Sequence, residues 1–394
     1  MQFRDKKNYA IFNDIIKKRS NNQSCGNYCL DPCMLVMNIS EGCNLTCPYC
    51  FAKAGKYSHE KPLWMTEDVA YRSTEIAIHD YPNIANIKLF GGEPFMNVRA
   101  IRGVVRAVEE SGRKITVGCV TNMTIYSPVL VDLIRRVNMR ITFSVDGPQE
   151  IHDNSRRYTN GRGSFAVIER NVSKYREQGI NPRAVECVYT PLHYQSGLSM
   201  EELVDCLAQH FCVEQVILTP MRGRFTSSQR LQEQEFANIV RNETQKLFRH
   251  CVTSHDPVKL GCIHDAMRIL FAPNDSHLWC GLGQDMITVA ADGAVYPCYT
   301  LLSNREQWRM ADSIDDLNQT NVPRHIVEKL TGASPLLTRQ CDSCVLRTVC
   351  RGCPGGSVAT DGEYTGVSPV SCAYAIGAVE GLIEGWRDRL SAVA

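Results

Sequence analysis

Short β-branched runs alternate with longer amphipathic stretches from residue 34 to about 220. Strands are expected at Met34–Ser40, Ile87–Phe90, Ile115–Thr121, Ile141–Val145, Val185–Thr190 and Gln215–Thr219. Between them, apolar positions at helical spacing predict helices over Thr66–His79, Arg99–Ser111, Pro128–Val137, Phe165–Gln178 and Met200–His210. Thr66, Ser127 and Ser199 stand where N-caps are needed. Strand–helix alternation implies βαβ units and a parallel sheet, so the fold class is α/β, and six units fit a partial (β/α)6 barrel. Residues 221–275 read as a charged helical bridge, residues 1–33 as an N-terminal extension, and no internal repeat or low-complexity linker interrupts the chain.

The chemistry-bearing residues fall where strands run out. Gly91-Gly92-Glu93, Thr121-Asn122 and Ser144-Val145-Asp146-Gly147 each follow a strand, the end at which barrel enzymes place their sites. Behind the first strand comes Cys43-Asn-Leu-Thr-Cys47-Pro-Tyr49-Cys50. Three closely spaced thiolates can hold three corners of a cubane iron–sulfur cluster and leave the fourth iron open. Zinc normally takes four ligands in two paired sets, and this triad has no neighbouring pair.

The C-x3-C-x2-C run, with Tyr49 before its last cysteine, resembles the signature of radical S-adenosylmethionine (SAM) enzymes. That resemblance implies a TIM-like barrel in which SAM chelates the open iron and is cleaved to a 5′-deoxyadenosyl radical that takes hydrogen from carbon. It assigns Cys43, Cys47 and Cys50 to the cluster, and Gly91, Gly92 and Glu93 to the SAM amino group. The stretch Ser-x-Asp-Gly-Pro-x-x-Ile-His-x-x-x-Arg resembles a further family pair, placing Ser144 and Arg156 at the SAM carboxylate and ribose, with Arg157 one position away. Arginine suits a carboxylate because its fork makes two charge-assisted bonds. Tyr49 and Asn122 complete the implied cofactor contacts; Asp146 is expected to bind there or to brace its own turn.

A second field begins at Cys280 and runs through Cys298, Cys341, Cys344, Cys350 and Cys353 to Cys372. It looks like a SPASM domain over residues 276–380, with a helix end over 381–394. The resemblance implies two auxiliary four-iron clusters, three clusters in all. It gives Cys341, Cys344, Cys350 and Cys372 to the distal cluster, and Cys280, Cys298 and Cys353 to the proximal one. The loop before Cys353 is one residue shorter than the family pattern. The fourth proximal ligand is either Cys262 or a substrate thiolate on an open iron. Zinc bound by the C-x2-C pairs is the plain alternative. Cys119 and Cys187 read as buried strand residues, and Cys206, Cys212 and Cys251, which have no ligand spacing, as structural or incidental. Cys25, Cys29 and Cys33 form a spaced run of open purpose. None of the ten histidines shows a metal-motif spacing.

Composition narrows the setting. The 394 residues are 44% hydrophobic and carry a formal charge of +1, which gives no reason to expect nucleic acid as a partner. No apolar run reaches membrane-spanning length, so no membrane role is expected, and the polar start of the chain predicts a cytoplasmic protein. Nineteen cysteines in a chain of this length suit metal ligation better than disulfides.

Three functions fit. The first is a maturase that crosslinks a ribosomally made precursor peptide, through a cysteine thioether or a carbon–carbon or carbon–oxygen bond, with flavodoxin or ferredoxin as low-potential reductant. The second is an anaerobic sulfatase maturase, whose family carries an aspartate after the cysteine matching Cys298, where this chain has Tyr299. The third is a cluster protein without SAM chemistry. Only 33 residues precede the first strand, too few for a winged-helix leader-binding domain, so leader recognition is expected to use another surface or a separate protein, or to be dispensable.

Overall fold

The alternating runs fold as strands and the amphipathic stretches as helices, each within one residue of its expected ends. The computed structural model describes residues 2–18, 28–221, 233–254, 256, 258, 267, 281–318, 320–332, 341–350, 353, 355 and 368–393. In chain order these carry α1 (Lys6–Lys18), β1 (Met34–Glu41), β2 (Leu63–Trp64), α2 (Glu67–Asp80), β3 (Asn86–Gly91), α3 (Val98–Ser111) and β4 (Thr116–Thr121). There follow α4 (Pro128–Arg136), β5 (Arg140–Ser144), α5 (Gln149–Ser155), α6 (Phe165–Glu177), β6 (Ala184–Tyr189), α7 (Met200–Phe211) and β7 (Gln215–Pro220). The last are α8 (Glu233–Thr253), β8 (Met286–Val289), β9 (Val295–Tyr296) and α9 (Pro369–Val393).

The helix starts are chemically specified. Thr66 accepts from the Val69 amide, Ser127 from Leu130 with Pro128 at the first helical position, and Ser199 forms a capping box with Glu202. Asn97 caps α3 in the same way, and Gly112 ends that helix with a left-handed φ of 62°.

Two compact units emerge, one formed by Asn27–Ala184 and Gly281–Leu330, the other by Met1–Gly26, Val185–Cys280 and Thr331–Ala394. In the first, β1 is flanked in parallel by β3 and β8, with β4 and β5 continuing beyond β3. The parallel addition of β8 beside β1 was not legible in the sequence, because Met286–Val289 is only four residues long and lies among cysteine motifs. Period-2 alternation divides the sheet. Ile87, Leu89, Val117, Cys119, Ile141 and Phe143 are buried on one face, while Lys88, Phe90, Val120 and Thr142 are half-buried on the other.

In the second unit, β6 and β7 are neighbours and α8 packs along α9. Gly377, Gly381 and Gly385 form the contact stripe. A Cβ at Gly381 would stand 2.3 Å from the Gln245 carbonyl oxygen, so the helices approach too closely for any side chain there. The Arg241–Glu380 ion pair at 2.7 Å and the Arg249–Asp388 pair at 2.6 Å flank the stripe. Among the described residues no helix is long and apolar enough to cross a membrane. Gly381→Leu should destabilise the protein by about 1–3 kcal/mol despite better helix propensity. Denaturant unfolding checks this, and unchanged stability would show that the two helices can separate freely.

Candidate functional site

Gly91 and Gly92 hold the site loops together. Gly91 has a φ of 148°, and a Cβ on it would stand 2.2 Å from the Ser40 carbonyl oxygen. Gly92 would place a Cβ 2.3 Å from the Gly42 oxygen. In their absence of side chains, the Gly92 amide donates to Ser40 at 2.7 Å and the Glu93 amide to Gly42 at 2.9 Å. The loop after β3 is thereby bound to the chain that leads from β1 into Cys43.

Cys43, Cys47 and Cys50 are half-buried. The Cys50 amide donates to the Cys47 carbonyl at 3.1 Å, and the Thr46 amide to Arg157 at 2.7 Å, which ties the loop to the segment after α5. Burial pushes the Cys43 thiol up to about 12 and the Cys47 thiol up to about 11, and the charges of neighbouring cysteines add to both shifts. Such a set gives up its protons when a metal supplies the compensating charge. Among the described residues no three His, Cys, Asp or Glu side chains surround a single ion position. A cubane asks for something different, since each thiolate binds its own iron corner. The donor set fits a cluster.

Glu93 is fully buried and takes three protein donors. Its Oε1 accepts from the Thr121 hydroxyl at 2.6 Å and the Phe95 amide at 2.9 Å, and its Oε2 from the Asn122 amide at 2.6 Å. The carboxylate therefore holds the end of β4, and one acceptor position on Oε2 remains. Asn122 in turn donates to Asn44 Oδ1 at 2.8 Å and to Cys43 Sγ at 3.7 Å, while its own oxygen accepts from the Thr124 hydroxyl at 2.7 Å. Asn44 and Thr124 carry no spacing signal, which is why sequence reasoning passed over them.

Ser144 ends β5, and beyond it Asp146 is buried with no solvent exposure. Asp146 pairs with Arg156, whose Nε lies 3.0 Å from Oδ2 in an orientation that leaves the Nε proton without a hydrogen bond. The Tyr49 hydroxyl donates to the same carboxylate, and the Arg156 guanidinium stands 5.6 Å from the Tyr49 ring centre. Arg156 thus faces the cysteine loop, while Arg157 is exposed. The Asp146 amide donates to His152 Nδ1 at 3.2 Å, His152 Nε2 meets the Ser164 hydroxyl at 2.9 Å, and that hydroxyl donates to the Arg156 carbonyl at 2.7 Å. This order requires neutral His152 with its proton on Nε2. Burial pushes its pKa down to about 4, which agrees.

Cys298 and Tyr299 reach the same region. The Tyr299 ring packs 4.2 Å from Phe90 and 6.1 Å from Phe51, so residues next to Gly91, Cys50 and Cys298 share one aromatic cluster. Behind it is a pairing with no sequence signal. Glu41, buried at the end of β1, accepts from Arg305, from the Ala291 amide at 3.1 Å and from Asn38 at 3.4 Å. Arg305 also binds Asp292 at 2.9 Å. The segment after Cys298 is thereby fastened to the strand that enters Cys43.

In the second unit, Cys341 and Cys344 share a turn with a 2.9 Å amide bond, and the Cys350 amide donates to Leu346 at 2.7 Å. Cys372 on α9 has its thiol pushed up to about 12 by burial and then by the charges of Cys350, Cys344 and Cys341. Cys353 is half-buried, and Cys29 and Cys33 are exposed. Cys25, Cys262 and Cys280 lie outside the described residues. Cys119, Cys187 and Cys251 are buried in their strands and helix, as expected of structural thiols.

The strand-end loops, the cysteine triad and the buried Arg156–Asp146 pair gather at the carboxyl ends of β1, β3, β4 and β5. Residues 37–207 match the Radical SAM superfamily. A cysteine-type anaerobic sulfatase-maturating enzyme of Clostridium perfringens is 20% identical over 344 residues, covering 81% of this chain and 87% of that one. An S-adenosylmethionine-dependent nucleotide dehydratase of Psychrobacter lutiphocae is 35% identical over 152 residues, 35% of this chain; the alignment spans only 46% of that relative. The solved structure of anSMEcpe with bound AdoMet superposes with a TM-score of 0.70 at 18% identity, covering 91% of this chain and 98% of that one, a likeness of fold.

Arg305→Met leaves Glu41 buried without its main counter-charge and should cost about 3–5 kcal/mol in denaturant unfolding. The double replacement Glu41→Leu with Arg305→Met should recover most of that loss; equal damage in both would show that the pair is not coupled. Glu93 gives a pH signature. Burial pushes its carboxyl from 4.5 up to about 7, held back from rising further by its three donors. In the cofactor-free protein the folded state keeps a proton that the unfolded chain releases near 4.5. The resulting stability is fully present below that pH and lost as pH rises through about 7. Glu93→Gln should flatten the stability profile across this window, and an unchanged slope would place the carboxyl at its ordinary value.

Proposed function

We propose that this chain is a radical SAM peptide maturase that removes two hydrogens from a ribosomally made peptide to form a crosslink, a cysteine thioether in the first instance. Tyr299 carries this reading over formylglycine formation. Where the sulfatase maturases resembled by this chain hold an aspartate base, a phenol is locked against Phe90 and Phe51. A neutral ring in an aromatic cluster has no carboxylate with which to take a thiol or hydroxyl proton.

SAM bound at a reduced four-iron cluster supplies a 5′-deoxyadenosyl radical for hydrogen abstraction. Cys43, Cys47 and Cys50 would hold that cluster. The unbonded Nε proton of Arg156 and the Ser144 hydroxyl would receive the SAM carboxylate, with Asp146 and Tyr49 beside the guanidinium and the His152–Ser164 chain holding the Arg156 backbone carbonyl. The open acceptor position on Glu93 Oε2 would receive the amino group, and Gly91 and Gly92 admit the cofactor close to backbone. Cys341, Cys344, Cys350 and Cys372 would hold one auxiliary cluster, and Cys298, Cys353 and Cys280 the other. A flavodoxin or ferredoxin would be the electron donor.

Similarity to the Clostridium perfringens enzyme along most of both chains favours one other reading, oxidation of a sulfatase Cys or Ser to formylglycine. Mass spectrometry separates the two. A cysteine-containing peptide encoded beside the gene, co-expressed anaerobically and then alkylated, should lose about two mass units with one fewer alkylated thiol. Loss of the cysteine sulfur with gain of a carbonyl would overturn the crosslink in favour of formylglycine. Cys43→Ala, Cys47→Ala or Cys50→Ala should abolish release of 5′-deoxyadenosine, and surviving cleavage would remove those residues from the cluster.

A further inference from the structure

We infer that Lys88, Phe90, Tyr299 and the gap at Gly118 form a subsite for a carboxylate of the peptide substrate, so that the enzyme selects peptides with Asp or Glu near the modified residue. The inference rests on the peptide reading above and adds the chemistry of the residue recognised.

Lys88 projects from the same face of β3 as Phe90, the half-buried face of the sheet. Its ammonium stands 5.0 Å from the centre of the Phe90 ring and 5.5 Å from that of Tyr299. Those rings belong to the residues next to Gly91 and Cys298, and Tyr299 also touches Phe51 next to Cys50. The charge is therefore placed where three motif segments converge. Among the described residues the Lys88 ammonium makes neither a hydrogen bond nor an ion pair. The aromatic faces orient the ammonium without neutralising it, so its positive field stays available to an incoming anion.

Gly118 is the independent second observation. It is the register partner of Lys88 on β4, in the interior of a strand where glycine weakens the sheet. Neither of the usual structural reasons for glycine holds. Its φ is not positive, and among the described residues an added Cβ would meet a single atom within 4 Å, the Arg140 carbonyl oxygen at 3.7 Å. Beside the unpaired ammonium, the sheet face is thus left open. A carboxylate-bearing side chain of a bound peptide can lie over Gly118 and reach Lys88, and the ordered ammonium lowers the entropy cost of pairing.

An anaerobic display library of peptides with one fixed cysteine and randomised flanks tests this with wild type, K88M, K88E and G118V. Modified peptides from wild type should be enriched roughly fivefold in Asp or Glu at one position. K88M should lose the enrichment, K88E should turn it towards Lys or Arg, and G118V should remove it by filling the gap. G118V gains strand propensity and its Cβ meets only ordinary contact, so its thermal unfolding, compared with wild type, serves as the folding control. An acidic preference that persists in K88M, or no acidic preference in wild type, overturns the subsite. So does a K88M enzyme whose SAM affinity falls, since that would assign the ammonium to the carboxylate of SAM itself. SAM cleavage with no modified peptide in the library would overturn the peptide reading, and the subsite with it, a result separate from the others.

Discussion

The close approach of Gly91 and Gly92 to the Ser40 and Gly42 carbonyls is the constraint on which the site depends. Parallel pairing of β1 and β3 delivers two loops at one sheet end, but only backbone without side chains lets them hydrogen-bond to each other. The consequence is that Glu93 reaches Thr121 and Asn122, and Asn122 reaches Cys43. Three strand ends become one rigid surface, and cofactor chemistry requires that rigidity because misplacement of a reacting atom by an ångström is costly.

Buried charge supplies the second layer of order. Asp146 with Arg156, and Glu41 with Arg305, are each taken out of water beside a predicted cluster ligand. Buried pairs contribute little net stability, because desolvation offsets attraction, but a broken pair is expensive, so they enforce a single geometry. One pair aligns the segment after β5 with the cysteine loop, the other fastens the Cys298 segment to the end of β1. Catalytic position, more than stability, is what these pairs protect.

The aromatic cluster of Phe51, Phe90 and Tyr299 has a different role. It fills the space between motif segments with packed rings, and it presents Lys88 on its surface. Similarity to a sulfatase maturase at 18% identity is a likeness of scaffold, and function follows the site rather than the scaffold.

Strand and helix positions were legible because their causes are local: alternation sets strands, and caps such as Thr66, Ser127 and Ser199 set helix starts. The cysteine spacings and the Ser144–Arg156 stretch were legible for the same reason, since ligands that share a loop must lie close in sequence. Which of Arg156 and Arg157 faces inward was decided only by the turn after α5. Glu41 and Arg305 are 264 residues apart, and nothing in either neighbourhood announces the other. The same holds for β8 beside β1, for Tyr299 against Phe51, and for the empty place at Gly118. Sequence alone determined the elements and the ligand types, because these arise from short-range periodicity and spacing. Tertiary structure alone decided which charges pair and which ammonium stays unpaired, because burial and proximity exist only once distant segments have packed.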